Sequence, residues 1–176
     1  NNDPMAVTTY DNGEQSFPGF SGFPSIIVDR KSLDDPLYAF DEYDAHTEDF
    51  GFADLTADAT YNSTTKVATV IASGHFAVDL SGDYRFACVF IENDVTGTAS
   101  GYAQHNYYSG GPYGPMGGFE NLPSLIPAAS MHYNFVARAI IGGYAGLVNS
   151  LPSTIVAGET QAHTFTYTVP ATDDFS

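Results

Sequence analysis

"GFADLTADATYNSTTKVATVIASGHFAVDLSGDYRFACVFIEN", residues 51–93, decides the fold. Apolar and polar residues alternate through much of it, and a period of two is that of a strand with one face buried. Three strand candidates follow one another: 52–61, ended by Asn62-Ser63; 66–80, ended by Ser81-Gly82; and 83–93, ended by Asn93-Asp94. Short turns between such strands predict an antiparallel meander. In the third, Tyr84, Phe86, Cys88 and Phe90 face one way and Val89 and Ile91 the other. A strand apolar on both faces is expected to be central. Gly74 beside His75 predicts a bulge in the second strand.

Working outward, "VTGTASGY" (95–102) is a fourth strand candidate. In "SMHYNFVARAII", Ser130 to Ile141, the residues Met131, Tyr133, Phe135, Ala137, Ala139 and Ile141 share one face. His132, Asn134, Val136 and Arg138 share the other. A turn falls near Gly158, and "AHTFTYTV" then points His163, Phe165, Tyr167 and Val169 inward and its threonines outward. Regularly turned strands of this kind predict an antiparallel β-sandwich over 51–176. Upstream, the first 24 residues are turn-rich and Ser25–Asp29 is a short strand after Pro24. Residues 34–48 read as a helix capped by Asp34 or Asp35, with Pro36 at its first position and a narrow stripe of Leu37, Phe40 and Tyr43. The expected class is mainly β (α+β), with residues 1–50 a separate region carrying the helix.

Charge excludes some functions. The 176 residues hold 21 acids against five Lys and Arg, a formal net charge of −16. A nucleic-acid partner needs a basic patch that five cations do not supply, and anionic lipid is excluded on the same count. Ten of the acids lie between Asp29 and Asp58 without the spacing of a calcium loop, and read as a solvated face. Five scattered histidines show no zinc spacing, so no metal and no cofactor is expected. Cys88 reads as an inert core thiol, and no nucleophile elbow or selectable carboxylate pair points to catalysis.

The exception to all this regularity is "HNYYSGGPYGPMGGFENLPSLIPAAS", residues 105–130, with five glycines, four prolines and three tyrosines. Loops of this length without strands or helices are uncommon in compact domains and usually functional or disordered. Its aromatic content and low charge suit a loop packed on its own side chains. Exposed aromatic clusters mark contact sites, so Tyr107, Tyr108, Tyr113, Met116 and Phe119 are the candidate binding residues. A protein partner is expected; the alternative is a glycan stacked on the tyrosines, although the chain has no Trp.

"GFPSIIVDRK", Gly22 to Lys31, resembles the loop and strand of thioredoxin-like folds that carry a cis-proline; the resemblance makes Pro24 that proline. Together with the helix-then-meander order through residue 93 and "HYNFVARAIIGG", it resembles the outer-membrane-protein-28-related family, surface lipoproteins of Bacteroidetes. In the last stretch Asn134, Val136 and Arg138 match the family's pattern, while Tyr133 and Phe135 stand where histidines are expected. The resemblance implies a non-catalytic, surface-exposed outer-membrane domain with an adhesin-like or antigen role, facing outward or toward the periplasm. It implies a lipid anchor outside this chain as the membrane attachment, and host or cell-surface proteins as partners. It also implies that the sequence is a piece of a longer protein, with residues 1–50 the remnant of a thioredoxin-like region that begins before it and with a further strand after it.

Overall fold

The computed structural model describes residues 3–171. Strands in several antiparallel sheets dominate, with few and short helices, so the chain is mainly β. In chain order the elements begin with helix α1 (Thr8–Gln15), strands β1 (Ile26–Val28) and β2 (Ser32–Asp34) and helix α2 (Ala39–His46). Strands β3 (Ala53–Asn62), β4 (Val67–Phe76), β5 (Leu80–Ser81) and β6 (Cys88–Glu92) follow. After them come β7 (Gln104–His105), β8 (Leu125–Ile126), β9 (Val136–Ile141), β10 (Thr154–Ile155) and β11 (Thr160–Thr168).

The chain forms two compact units; it passes from one to the other at Glu48–Asp49, close to the expected boundary, but also at Phe90–Ile91 and Val136–Ala137. One is built mainly from Glu14–Glu48 and Ile91–Val136, the other from Asp49–Phe90 and the segment from Ala137 on. The expected split into 1–50 and 51–176 is therefore replaced by two units each drawn from separated stretches. The segment from Ala137 on joins Asp49–Phe90 through pairing at a distance: β4 takes β3 on one side and β11, from the far end of the chain, on the other.

The second unit holds the β-rich core. Asn62 Oδ1 accepts the amides of Thr64 (3.0 Å) and Thr65 (3.1 Å), which closes the β3–β4 hairpin. β4 runs central in the order β11-β4-β3. Its inward residues Ala68 and Val70, with Phe165 of β11 and Val169, pack against Phe86, Phe90, Ala139 and Ile141 of the β6 and β9 region. Residues of the β11-β4-β3 sheet and of the β6-β9 sheet thus share one core. Ser150 closes the adjoining turn: its buried hydroxyl accepts the Phe86 amide at 2.7 Å and donates to the Leu147 carbonyl at 2.7 Å.

Several expectations need correcting. β6 is not central; it starts only at Cys88 and pairs with β9 alone. Two apolar faces can arise on a short strand that carries core on one side and stays partly exposed on the other, as Val89 and Ile91 do. Residues 95–102 form no strand: Val95 makes a single bridge to Tyr133, and Ser100–Tyr102 is a 3-10 turn. The strand expected over 130–141 begins at Val136, because Phe135 adopts φ 59° and breaks the alternation. Gly74 makes no bulge, since the β3–β4 and β4–β11 registers run through it without a gap. A Cβ there would lie 3.2 Å from Leu55 Cδ2 and 3.2 Å from the Phe76 ring, so close packing explains the glycine.

In the first unit, β1 and β2 form a hairpin whose central residues Asp29 and Arg30 both have positive φ, as primed hairpin turns require. The helix expected over 34–48 is a 3-10 turn (Pro36–Tyr38) followed by α2. Asp35 caps it, its carboxylate accepting the Leu37 amide at 2.8 Å. The stripe of Leu37, Phe40 and Tyr43 is not buried; Phe40 is 84% exposed.

Candidate functional site

Residues 105–130 are an ordered lobe of the first unit. Its ends are tied where β7 pairs with β8, Gln104 opposite Ile126 and His105 opposite Leu125. Just inside that tie sits Asn106, 6% exposed. Its Nδ2 donates to the carbonyls of Phe119 (2.7 Å), Pro123 (3.2 Å) and Leu122 (3.4 Å), and its Oδ1 accepts the Tyr108 amide (3.1 Å). Its own amide donates to Ser124 O at 2.8 Å. One side chain thus holds both limbs of the loop, which is why a long stretch with little regular structure keeps one shape.

Glu120 organises the tip. Its Oε2 accepts the amides of Met116 (2.9 Å) and Gly118 (3.0 Å), and its Oε1 accepts Asn121 Nδ2 (2.9 Å). These bonds, the Met116 amide foremost, hold the Glu120 carboxyl below its ordinary value. Gly117 and Gly118 turn the chain beneath it at φ 64° and 96°, a region that side chains with a Cβ rarely adopt. Gly110 N donates to Glu120 O at 3.0 Å and joins the tip to the opposite limb.

The lobe walls a cavity of about 660 Å³. Tyr107, Tyr108, Met116 and Phe119 line it from the loop, and Phe23 and Pro24 from the segment before β1. The Phe23–Pro24 peptide bond is cis. An adjoining depression of about 320 Å³ shares Pro24, Tyr107 and Tyr108 and adds Tyr113, Tyr38 and Asp35. Four of the five binding candidates from the sequence line the larger cavity with Pro24, and the fifth, Tyr113, lines the adjoining depression.

The tyrosines differ in role. Tyr107 is 73% exposed and carries a flat face to solvent. Tyr108 stacks edge-on against Tyr113, centroids 6.1 Å apart. The Tyr108 hydroxyl is shielded and has no hydrogen-bond partner among the described residues. Burial, then the nearby negative charge of Asp35, pushes its pKa up.

Sequence reasoning missed the far wall of the cavity, where Met131, His132, Tyr133 and Asn134 lie. Strand alternation assigned these residues to two faces. The structure instead wraps them around the Asn93-Asp94 turn: Asn134 Oδ1 accepts the Asp94 amide (3.0 Å), Asn93 Oδ1 accepts the Phe135 amide (2.9 Å), and His132 Nδ1 meets Asp94 Oδ1 at 2.5 Å. The Tyr133 hydroxyl donates to the Tyr102 carbonyl at 2.7 Å. Arg138 falls in the other unit, on β9. The signal available was the pair Asn93 and Asn134, residues that favour side-chain-to-backbone bonds in turns.

Cys88 belongs to the other unit and is half-buried, and burial pushes its thiol pKa up. His75 meets the Thr160 hydroxyl at 3.1 Å and His163 stacks on Phe165, so both are held in the sheet. Among the described residues no group of His, Cys, Asp and Glu is placed to hold a metal ion, and no helix is long and apolar enough to cross a membrane.

Comparison with protein-family models, with curated proteins and with solved structures gave no match.

Proposed function

We propose that this chain is a non-catalytic recognition domain that holds a segment of a partner protein in the groove of the 105–130 lobe. The observation that carries the reading is the convergence of Tyr107, Tyr108, Met116 and Phe119 with Phe23 and Pro24 on one apolar cavity. Drug- and peptide-sized ligands are held in concave, mostly apolar sites with a few polar groups at the rim. Here His132 and Asn134 supply those groups. Tyrosine adds contact area at low entropic cost. The resemblance to surface lipoproteins extends the proposal to display on an outer membrane, with a host or cell-surface protein as partner. A glycan is the second reading, favoured by the exposed flat faces of Tyr107 and Tyr113 at one end of the groove.

Tyr107 is largely exposed whereas Tyr108 is packed, and the test uses that difference. Tyr107→Ser removes an exposed face and is expected to leave the melting temperature within about 1–2 °C while adhesion to cell monolayers or matrix-coated plates falls. Tyr108→Ser removes a packed ring and is expected to lower the melting temperature. Adhesion unchanged in Tyr107→Ser and in Phe119→Ser contradicts the proposal. Loss of adhesion after enzymatic removal of glycans from the plate favours the glycan reading.

A further inference from the structure

We propose that the edge of strand β3, far in kind from the groove, is a pairing surface for a second copy of this chain. β3 ends the sheet order β11-β4-β3, so no strand lies beyond it among the described residues. Ala77 N donates to Phe52 O at 2.9 Å, so residue 52 turns its backbone groups toward the β4 side. Antiparallel ladders alternate, and the groups of Ala53, Leu55, Ala57 and Ala59 therefore point outward. The strand is ten residues long and holds none of the proline, lysine or bulge that commonly blunt an edge.

The side chains also stop short of cover. Leu55, Ala59 and Tyr61 sit opposite Gly74, Val70 and Ala68 of β4, which are buried. Yet Leu55 itself is 69% exposed. The apolar face of the sheet thus continues onto β3, where Leu55 stays largely open to solvent.

What selects a second copy is the strand's self-complementarity. Paired antiparallel with itself about Ala57, β3 sets Asp54 against Thr60, Thr56 against Asp58, and Leu55 against Ala59. Every aspartate meets a threonine hydroxyl that can donate to it. Shifting the axis to Thr56 places Asp54 against Asp58, and shifting it to Asp58 places that residue against itself; like charges directly opposite are destabilising. The aspartates thus disfavour a shift of the axis by one residue either way without forbidding the pairing. Across the axis the two Asp58 carboxylates lie diagonally, so added salt is expected to favour the dimer. A single strand pair buries less than a standard interface, which places association in the micromolar range.

Sedimentation of the full chain from about 10 to 500 μM tests this. The expected result is a mass moving from one subunit to two, at lower concentration in high salt. Thr56→Asp sets like charges opposite at two places and is expected to weaken association about three- to thirtyfold; Thr56→Lys sets opposite charges there and strengthens it by a similar factor. Ala57→Pro removes an outward amide without touching the β4 ladder and should abolish the dimer while the circular dichroism spectrum is kept. A mass of one subunit throughout overturns the proposal. So does a mass that climbs past two, which means that β3 meets a different edge, or two Thr56 variants that fail to move in opposite directions.

Discussion

Replacing Asn106 by Ala removes the side chain that ties the 105–130 lobe together. The methyl group fills part of the space and satisfies nothing. Three bonds are shorter than 3.3 Å: Nδ2 to Phe119 O, Nδ2 to Pro123 O, and the Tyr108 amide to Oδ1. The contact to Leu122 O at 3.4 Å is marginal. Each intramolecular bond contributes about 0.5–1.5 kcal/mol net, and a shielded group left unpaired costs more. The sum is about 2–4 kcal/mol against the ordered lobe. Because the chain has two compact units, a local readout is preferable to a global one. Amide exchange at Tyr108 and Gly110 is expected to quicken by about 30-fold or more, with little change at Val70 and Phe165. Asn121→Ala, which loses one exposed bond to Glu120, serves as control and should change exchange little. Exchange at Tyr108 and Gly110 unaltered by Asn106→Ala refutes the reasoning that one residue holds the loop.

Glu120 gives a pH-dependent test. Its carboxyl is held low by backbone amides, so the stabilisation is present above the ordinary carboxylate pKa of about 4.3 and is lost as pH falls through the lowered value. Exchange at Met116 and Gly118 should accelerate on acidification relative to the intrinsic rate, and Glu120→Gln should show that looseness at neutral pH and lose the acid step. In the other unit, Phe165 is 2% exposed in the centre of the core. Phe165→Ala is expected to cost about 3–5 kcal/mol in urea unfolding; a cost under about 1 kcal/mol contradicts the shared core.

Where period alone decides structure, the sequence was legible. β3 and β11 fall within a residue or two of their expected strands, β4 starts within one residue of its own and ends four short, and the inward set His163, Phe165, Tyr167 and Val169 is the less exposed face of its strand. Period failed where turn chemistry competed with it. Phe135 is apolar and in phase, yet φ 59° turns it out, because Asn93 and Asn134 bind the backbone around it. Helix α1 was missed because "TTYDNGEQ" carries Asn-Gly, a turn signal, and no apolar stripe. A Cβ on Gly13 would clash with the Tyr144 ring, so packing from a residue 131 positions later accompanies that helix. In the groove, the residues on the loop were legible as an aromatic cluster. The far wall was not, since nothing local in Met131 or His132 announces a neighbour near residue 107.

The claim that the groove is the recognition surface is tested most directly by chemical-shift mapping. The isotope-labelled chain is titrated with soluble matrix glycoprotein, and separately with glycans released from it. The account predicts amide shifts confined to residues 105–120, 131–134 and the Phe23–Ser25 segment, present with the protein and absent in Tyr107→Ser. Shifts centred on other residues, or no shifts with either probe where the intact chain adheres to the same glycoprotein, contradict it.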